Sequence, residues 1–208
     1  MDVVVAGGHG QIGLRLLRLL SDRGDRARGI VRNPAHVPDL EQAGAQAIVL
    51  DMEAGEELSP AVEGADAVVF AAGAGPGSGP ERKQTVDLGA AVKLMEKGVR
   101  RYVMVSAIGA DNPENAPEEM RPYYDAKAEA DRRLQESGLD YTIVRPGMLT
   151  NDEGTGLVAA GADVERSEIP RDDVAAVLAE VLSADNTIGK TFNLVAGDTP
   201  VDAAMRAL

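Results

Sequence analysis

Apolar residues in this chain fall into short unbroken runs, separated by longer stretches in which they recur every three or four positions. The unbroken runs are Val3-Val4-Val5, Gly29-Ile30-Val31, Ala47-Ile48-Val49-Leu50 and Ala67-Val68-Val69-Phe70-Ala71, and strands are also expected at Tyr102 to Val105, Tyr141 to Val144 and Thr191 to Val195. Each unbroken run predicts a strand covered on both faces, because a strand with one face in water alternates apolar and polar positions instead. The stretches between them predict helices over Leu14 to Leu20, Leu58 to Val62, about Arg82 to Lys97 and about Tyr123 to Ser137, with a last helix before the final strand. Gly24, Gly98 and Gly138 each follow a helical pattern and suit the left-handed position that ends a helix. Strand and helix alternating in this way imply right-handed crossovers, hence an α/β fold: a doubly wound parallel sheet with helices on both faces. The 208 residues suffice for a single domain, 1–208, in which Asn151 to Ile169 forms a small substrate-side cap region near the C-terminus.

The junction of the first strand and helix carries the first chemical signal. Ala6-Gly7-Gly8-His9-Gly10-Gln11-Ile12-Gly13 joins Val3-Val4-Val5 to the leucine-rich helix, the strand–turn–helix arrangement that binds a dinucleotide pyrophosphate. Glycine lets the backbone approach phosphate oxygens, and the helix aims its free N–H groups at the charge. The glycines read either as Gly8, Gly10 and Gly13 or as Gly7, Gly10 and Gly13. His9 offers the phosphates a further donor or is a plain turn residue. Arg32 follows the second strand, where a free ribose 2′-hydroxyl calls for a carboxylate and a 2′-phosphate for an arginine, so NADP is expected over NAD. Asp51, with Met52 beside it, ends the third strand, where it either accepts from an adenine amino group or caps the loop.

Charge and residue usage then narrow the function classes. With 21 basic and 34 acidic residues the net charge is −13, which repels nucleic acid and anionic membrane surfaces. There is no cysteine and only two histidines, so thiolate chemistry is excluded and a metal site is not expected. No apolar run is long enough to cross a bilayer and no leader pattern is visible, so a cytoplasmic protein is expected.

Two loops interrupt the periodic pattern, Gly73 to Pro80 and Asp111 to Pro122; both follow strand carboxyl ends, where open α/β sheets bind ligands, and are expected to border the active site. Tyr123 and Lys127 lie four apart at the start of a helix and share a face, where an ammonium can stabilise a phenolate and make the phenol a useful acid. Ser106 ends the strand Tyr102 to Val105 and is placed to project into the same cleft.

With these residues the chain resembles the atypical short-chain dehydrogenase/reductase superfamily, in its NAD(P)-binding, NmrA-like or sugar-epimerase-like group. The resemblance runs through the glycine turn, Ala71-Ala72-Gly73, Val105-Ser106, Tyr123 with Lys127, Ser137 to Gly147, and Arg171-Asp172-Asp173-Val174-Ala175. It implies a Rossmann-like sheet and hydride transfer from a nicotinamide to a small carbonyl- or quinone-like acceptor. Ser106 would polarise the acceptor oxygen, Tyr123 would donate the proton, and Lys127 would bind the nicotinamide ribose and keep the tyrosine acidic. Pro146-Gly147 would shape the backbone beside the nicotinamide. The helical asparagine of many catalytic members is not evident, and Asp87 falls near its place. The small cap also suits a non-catalytic NADP(H)-binding module that senses redox state, and an epimerase or isomerase is a third reading. Relatives pair their long helices into homodimers, which this chain could do through Arg82 to Lys97 and Tyr123 to Ser137.

Overall fold

The computed structural model describes residues 1–54, 57–73, 75 and 79–208. In chain order its elements are β1 (Asp2–Ala6), α1 (Gln11–Asp22), β2 (Arg26–Val31), α2 (Val37–Gln42), β3 (Gln46–Val49), α3 (Ser59–Val62), β4 (Ala67–Phe70) and α4 (Gly79–Arg82). A π-helical segment, Lys83–Ala90, then leads into α5 (Ala91–Met95). Next come β5 (Arg101–Val105), α6 (Arg121–Glu136), β6 (Asp140–Pro146), β7 (Met148–Thr150), β8 (Leu157–Gly161), β9 (Glu168–Pro170), α7 (Arg171–Val181), β10 (Lys190–Ala196), β11 (Thr199–Pro200) and α8 (Val201–Arg206).

The main sheet runs β11-β8-β10-β6-β5-β4-β1-β2-β3, and every pairing from β3 to β10 is parallel. Chain order reverses between β1 and β4, so the crevice above their carboxyl ends is the natural ligand position of a doubly wound sheet. Alternate residues of β1 divide the core. Val3 and Val5 pack with Leu16, Leu17 and Leu20 of α1 and Val174, Val177 and Leu178 of α7, whereas Val4 and Ala6 pack with Leu94 of α5 and Leu134 of α6 on the other face. Both faces being covered is what the unbroken apolar runs require. Gly24, Gly98 and Gly138 adopt the left-handed backbone, at φ of +86°, +77° and +74°.

The structure departs from the sequence reading in several places, and adds α2 and α8 to the expected helices. The parallel sheet gains an antiparallel edge, β8 on β10 and β11 on β8. The segment Asn151 to Ile169 therefore divides: Leu157–Gly161 extends the main sheet, while Arg166 returns to the cleft and β9 pairs with β7 in a separate two-stranded sheet. Leu157-Val158-Ala159-Ala160-Gly161 is poor in the large branched residues that mark a strand, which is why its pattern did not register. Finally, the helix expected over Arg82 to Lys97 starts at Gly79 and carries the π-helical segment in its middle.

Candidate functional site

The glycine turn leaves no space for side chains. Gly7 closes β1 at φ +82°, and a Cβ there would lie 2.7 Å from the Ala72 Cα. At Gly13 a Cβ would collide with the Gly7 carbonyl oxygen, and at Gly8 it would come within 2.9 Å of the Gly29 Cα. Both glycine spacings therefore count: Gly7, Gly10 and Gly13 shape the turn, and Gly8 seats it against β2. Helix α1 opens behind Gly10 with no side-chain cap and no acidic residue in its first turn. Its leading N–H groups and positive dipole end thus face a cradle that an anion fits and a carboxylate side chain does not already fill. Gln11 begins the helix, and Ile12 turns toward the cleft alongside Ala71, Ala72 and Gly73.

A pocket of about 380 Å³ lies on the β2 and β3 side of this turn, between Gly7, His9, Gly10, Arg32, Asp51, Met52, Glu53 and Arg82. Here Arg32 meets a carboxylate from another loop. The end of β2 has no carboxylate of its own, but the loop after β3 brings one across: Glu53 accepts from Arg32 Nη1 at 3.1 Å, Arg82 Nη2 at 2.7 Å and Thr85 Oγ1 at 2.6 Å. Hydrogen bonding from Arg82, set against burial and helped by Thr85 and Arg32, holds the Glu53 carboxyl below its usual range. Asp51 accepts from the Glu53 backbone N–H at 2.9 Å, the loop-cap alternative, and so helps present Glu53. The Met52 carbonyl accepts from Lys93 at 3.1 Å. His9 turns its Nε2 to Asp39 at 2.8 Å and stacks on His36 with ring centroids 3.6 Å apart, which places imidazole at the pocket rim.

On the other side of the turn a cleft of about 1070 Å³ opens between β4, β5, β6 and α6. It brings Ser106, Tyr123, Lys127, Pro146 and Gly147 to one wall system, with Glu118, Glu119, Met120 and Pro122 of the Asp111 to Pro122 loop at its lip. Of the other expected loop, Gly73, Gly75 and Gly79 line the cleft, while residues 74 and 76–78 lie outside the described residues. Gly147 is tightly fitted, since a Cβ there would collide with the Ser167 carbonyl oxygen.

Two buried ion pairs lie in and behind the wall of this cleft. Lys127, only 5% exposed, donates to the Val105 carbonyl at 3.1 Å and sits 3.2 Å from Asp87, which is 1% exposed. Lys127 also stands 5.9 Å from the Tyr123 ring centroid. Burial lowers the affinity of Lys127 for its proton, but Tyr123 and Asp87 outweigh that effect and the net direction is up. Burial also drives the Tyr123 phenol up; Lys127 opposes this, Asp87 reinforces it, and the phenol stays above its ordinary value. The acidified tyrosine expected from the Tyr123 and Lys127 spacing is thus not what the site presents, because burial outweighs the pull of the ammonium and Asp87 adds to the effect of burial. The second pair lies beneath Ser106. The Ser106 hydroxyl donates to Asp131 Oδ2 at 3.0 Å, and Arg145 donates to the same oxygen at 3.0 Å. The other oxygen of Asp131 is buried without a hydrogen-bond partner among the described residues. Burial pushes this carboxyl up against the opposing pull of Arg145 and Ser106.

Sequence reasoning missed Glu53, Arg82 and Asp131. Asp131 had a signal, since Tyr123, Lys127 and Asp131 repeat every four residues along one face of α6. Glu53 and Arg82 had none, because loop paths bring them together.

A profile described as NAD(P)H-binding matches residues 7–185, from the glycine turn to the end of α7 and beyond. The chain belongs to this NAD(P)H-binding family. It is 44% identical over 214 residues to an uncharacterized sugar epimerase, YhfK, of Bacillus subtilis, with all of both chains covered. A solved Bacillus halodurans structure, provisionally assigned as an NAD-dependent epimerase/dehydratase, has a TM-score of 0.95 at 40% identity over all of both chains. The oxidoreductase ylbE of Lactococcus lactis has a TM-score of 0.89 at 32% identity, covering 100% of this chain and 96% of that one. More distantly, sanguinarine reductase of Eschscholzia californica is 25% identical over 93% of this chain and 88% of its own. This is an NAD(P)-binding, oxidoreductase-type family consistent with the atypical short-chain dehydrogenase/reductase superfamily. Among the described residues no helix is long and apolar enough to cross a membrane.

Proposed function

We propose that this chain is an NADP-dependent oxidoreductase that reduces a small carbonyl- or quinone-like acceptor. The observation that carries the reading is the meeting of Ser106, Tyr123 and Lys127 in one cleft that adjoins the glycine turn at Ile12. A reduced nicotinamide, when bound, supplies the hydride to the acceptor carbon. Tyr123 Oη–H then gives its proton to the acceptor oxygen, and water restores it. Lys127, fixed by Asp87 and the Val105 carbonyl, remains charged and is placed to hold the ribose hydroxyls of a bound nicotinamide. Ser106 turns its hydroxyl from Asp131 to the acceptor oxygen. Met120, Pro122, Tyr124, Met148 and Leu149 suit a flat apolar acceptor, with Met120 and Met148 exposed at the mouth.

Preference for NADP is supported by Arg32 and Arg82. Two guanidiniums around one carboxylate define an anion position at the pocket rim, and a ribose 2′-phosphate displacing Glu53 would receive both. Titrations of wild type and Arg32→Ala with NADPH and NADH test this: weakened NADPH binding with NADH unaffected supports it, and equal weakening of both overturns it. Loss of NADPH oxidation across quinone and carbonyl acceptors in Tyr123→Phe tests the proton-donor role, and unchanged turnover would refute it. A second reading, a non-catalytic NADP(H)-sensing module, is favoured by one observation, that Lys127 and Ser106 are already engaged by Asp87 and Asp131. It requires cofactor binding with no turnover on any acceptor.

A further inference from the structure

The π-helical segment between α4 and α5 is a local departure from regular helix, and such turns recur at functional sites because the extra residue rotates side chains out of the α-helical register. Its buried product is Asp87, against the Lys127 ammonium at 3.2 Å. A buried ion pair of this kind contributes little net stability once desolvation is counted, so its placement beside a phenol calls for another account.

We propose that Asp87 governs the proton of Tyr123: its carboxylate, carried to Lys127 by the π-helical turn, cancels the ammonium that would otherwise draw that proton away, so the tyrosine meets its acceptor as a neutral donor. Asp87 is then a positioning residue that acts through Lys127. The groups facing Tyr123 are consistent with this. From its own helix come Tyr124, Lys127 and Asp131; from the π-helical segment, Asp87; the cleft that Tyr123 lines also holds Ser106, Glu118, Glu119, Arg166 and Arg171, and Arg145 of β6 is spent on Asp131. Among the described residues Lys127 is the cation with the largest pull on the phenol, and Asp87 offsets it. The inference rests on the oxidoreductase reading only for its kinetic consequence, that Asp87→Asn would move the alkaline limb of a turnover profile to lower pH.

The chain itself supplies a readout that needs no turnover. It has four tyrosines and no tryptophan, so tyrosinate absorbance is uncluttered, and subtracting a matched Tyr123→Phe variant isolates one phenol. At pH 10, the ordinary midpoint, wild type is expected to show less than half of its Tyr123 as phenolate. Asp87→Asn should lower the midpoint by about one unit or more. Lys127→Gln should raise it, and the charge-neutral double variant Lys127→Gln/Asp87→Asn, which leaves no unpaired buried charge, should return within about half a unit of wild type. Circular dichroism confirms folding of each variant, and the double variant decides the matter if Asp87→Asn does not fold. An unchanged or raised midpoint in Asp87→Asn overturns the inference, as does a double variant displaced from wild type by a full unit. If wild type reduces acceptors but Asp87→Asn leaves the midpoint alone, the inference falls and the reductase reading stands. If the midpoint moves but no acceptor is reduced, the reductase reading falls and the control of Tyr123 stands.

Discussion

Glu53 and Asp87 both hold basic side chains along the same crevice, one largely in water and one out of it. Around Glu53 the Arg32 and Arg82 side chains are 56% and 41% exposed, whereas Lys127 and Asp87 are 5% and 1% exposed. Water and salt screen the first cluster, so exchanging its carboxylate for a ligand phosphate costs little. The second cannot exchange partners without stranding a charge in a low-dielectric interior. The first is suited to recognition and the second to holding a fixed field at a neighbouring phenol.

The largest break removes what both regions share. Gly13→Val would drive its side chain into the Gly7 carbonyl and open the turn, and NADPH and NADH binding should both fall by more than about 100-fold in calorimetric titration. Next, Lys127→Met strands the Asp87 carboxylate and should cost about 3–5 kcal/mol in urea unfolding, whereas Glu53→Gln should cost less than about 1 kcal/mol. Similar losses for the two would erase the distinction between the regions. At the exposed cluster, Glu53→Gln should tighten NADPH binding severalfold by removing the internal competitor, leave NADH within about twofold, and lose its effect as salt rises. A parallel gain for NADH would show that Glu53 does not sit at the phosphate position.

The smallest effect is a difference in the sign of the acid response, read from unfolding curves across pH. Glu53 is held below its ordinary 4.5, so its contribution is present above that value and lost as pH falls through the lowered one. Asp131 is pushed above its ordinary 3.8, so its contribution is present below that value and lost as pH rises through the raised one. Glu53→Gln should therefore remove part of the acid-side loss, and Asp131→Asn part of the loss on raising the pH. Unchanged slopes in both variants would contradict these assignments.

How much of the site was legible follows the same division. The glycine turn, Arg32, Ser106, Tyr123 and Lys127 stood out because each sits at a strand end or on one helix face, where local spacing already implies position. The role of Lys127 could not be read from spacing, since the Asp87 that engages it lies forty residues earlier on a π-helical turn that no pattern announces. No carboxylate follows β2 directly along the chain, yet the loop after β3 delivers Glu53 to Arg32 in space. Likewise Leu157–Gly161 became a sheet edge through its pairing with β10, not through its own composition.

The alternation of buried strands and amphipathic helices and the glycine turn were determined by the sequence alone, since each follows from local burial period or backbone sterics. Which charges meet was decided by the tertiary structure. Desolvation and Coulomb forces act across space at a few ångströms, and whether an ammonium acidifies a phenol or is spent on a carboxylate depends on neighbours that only the packed helices bring together.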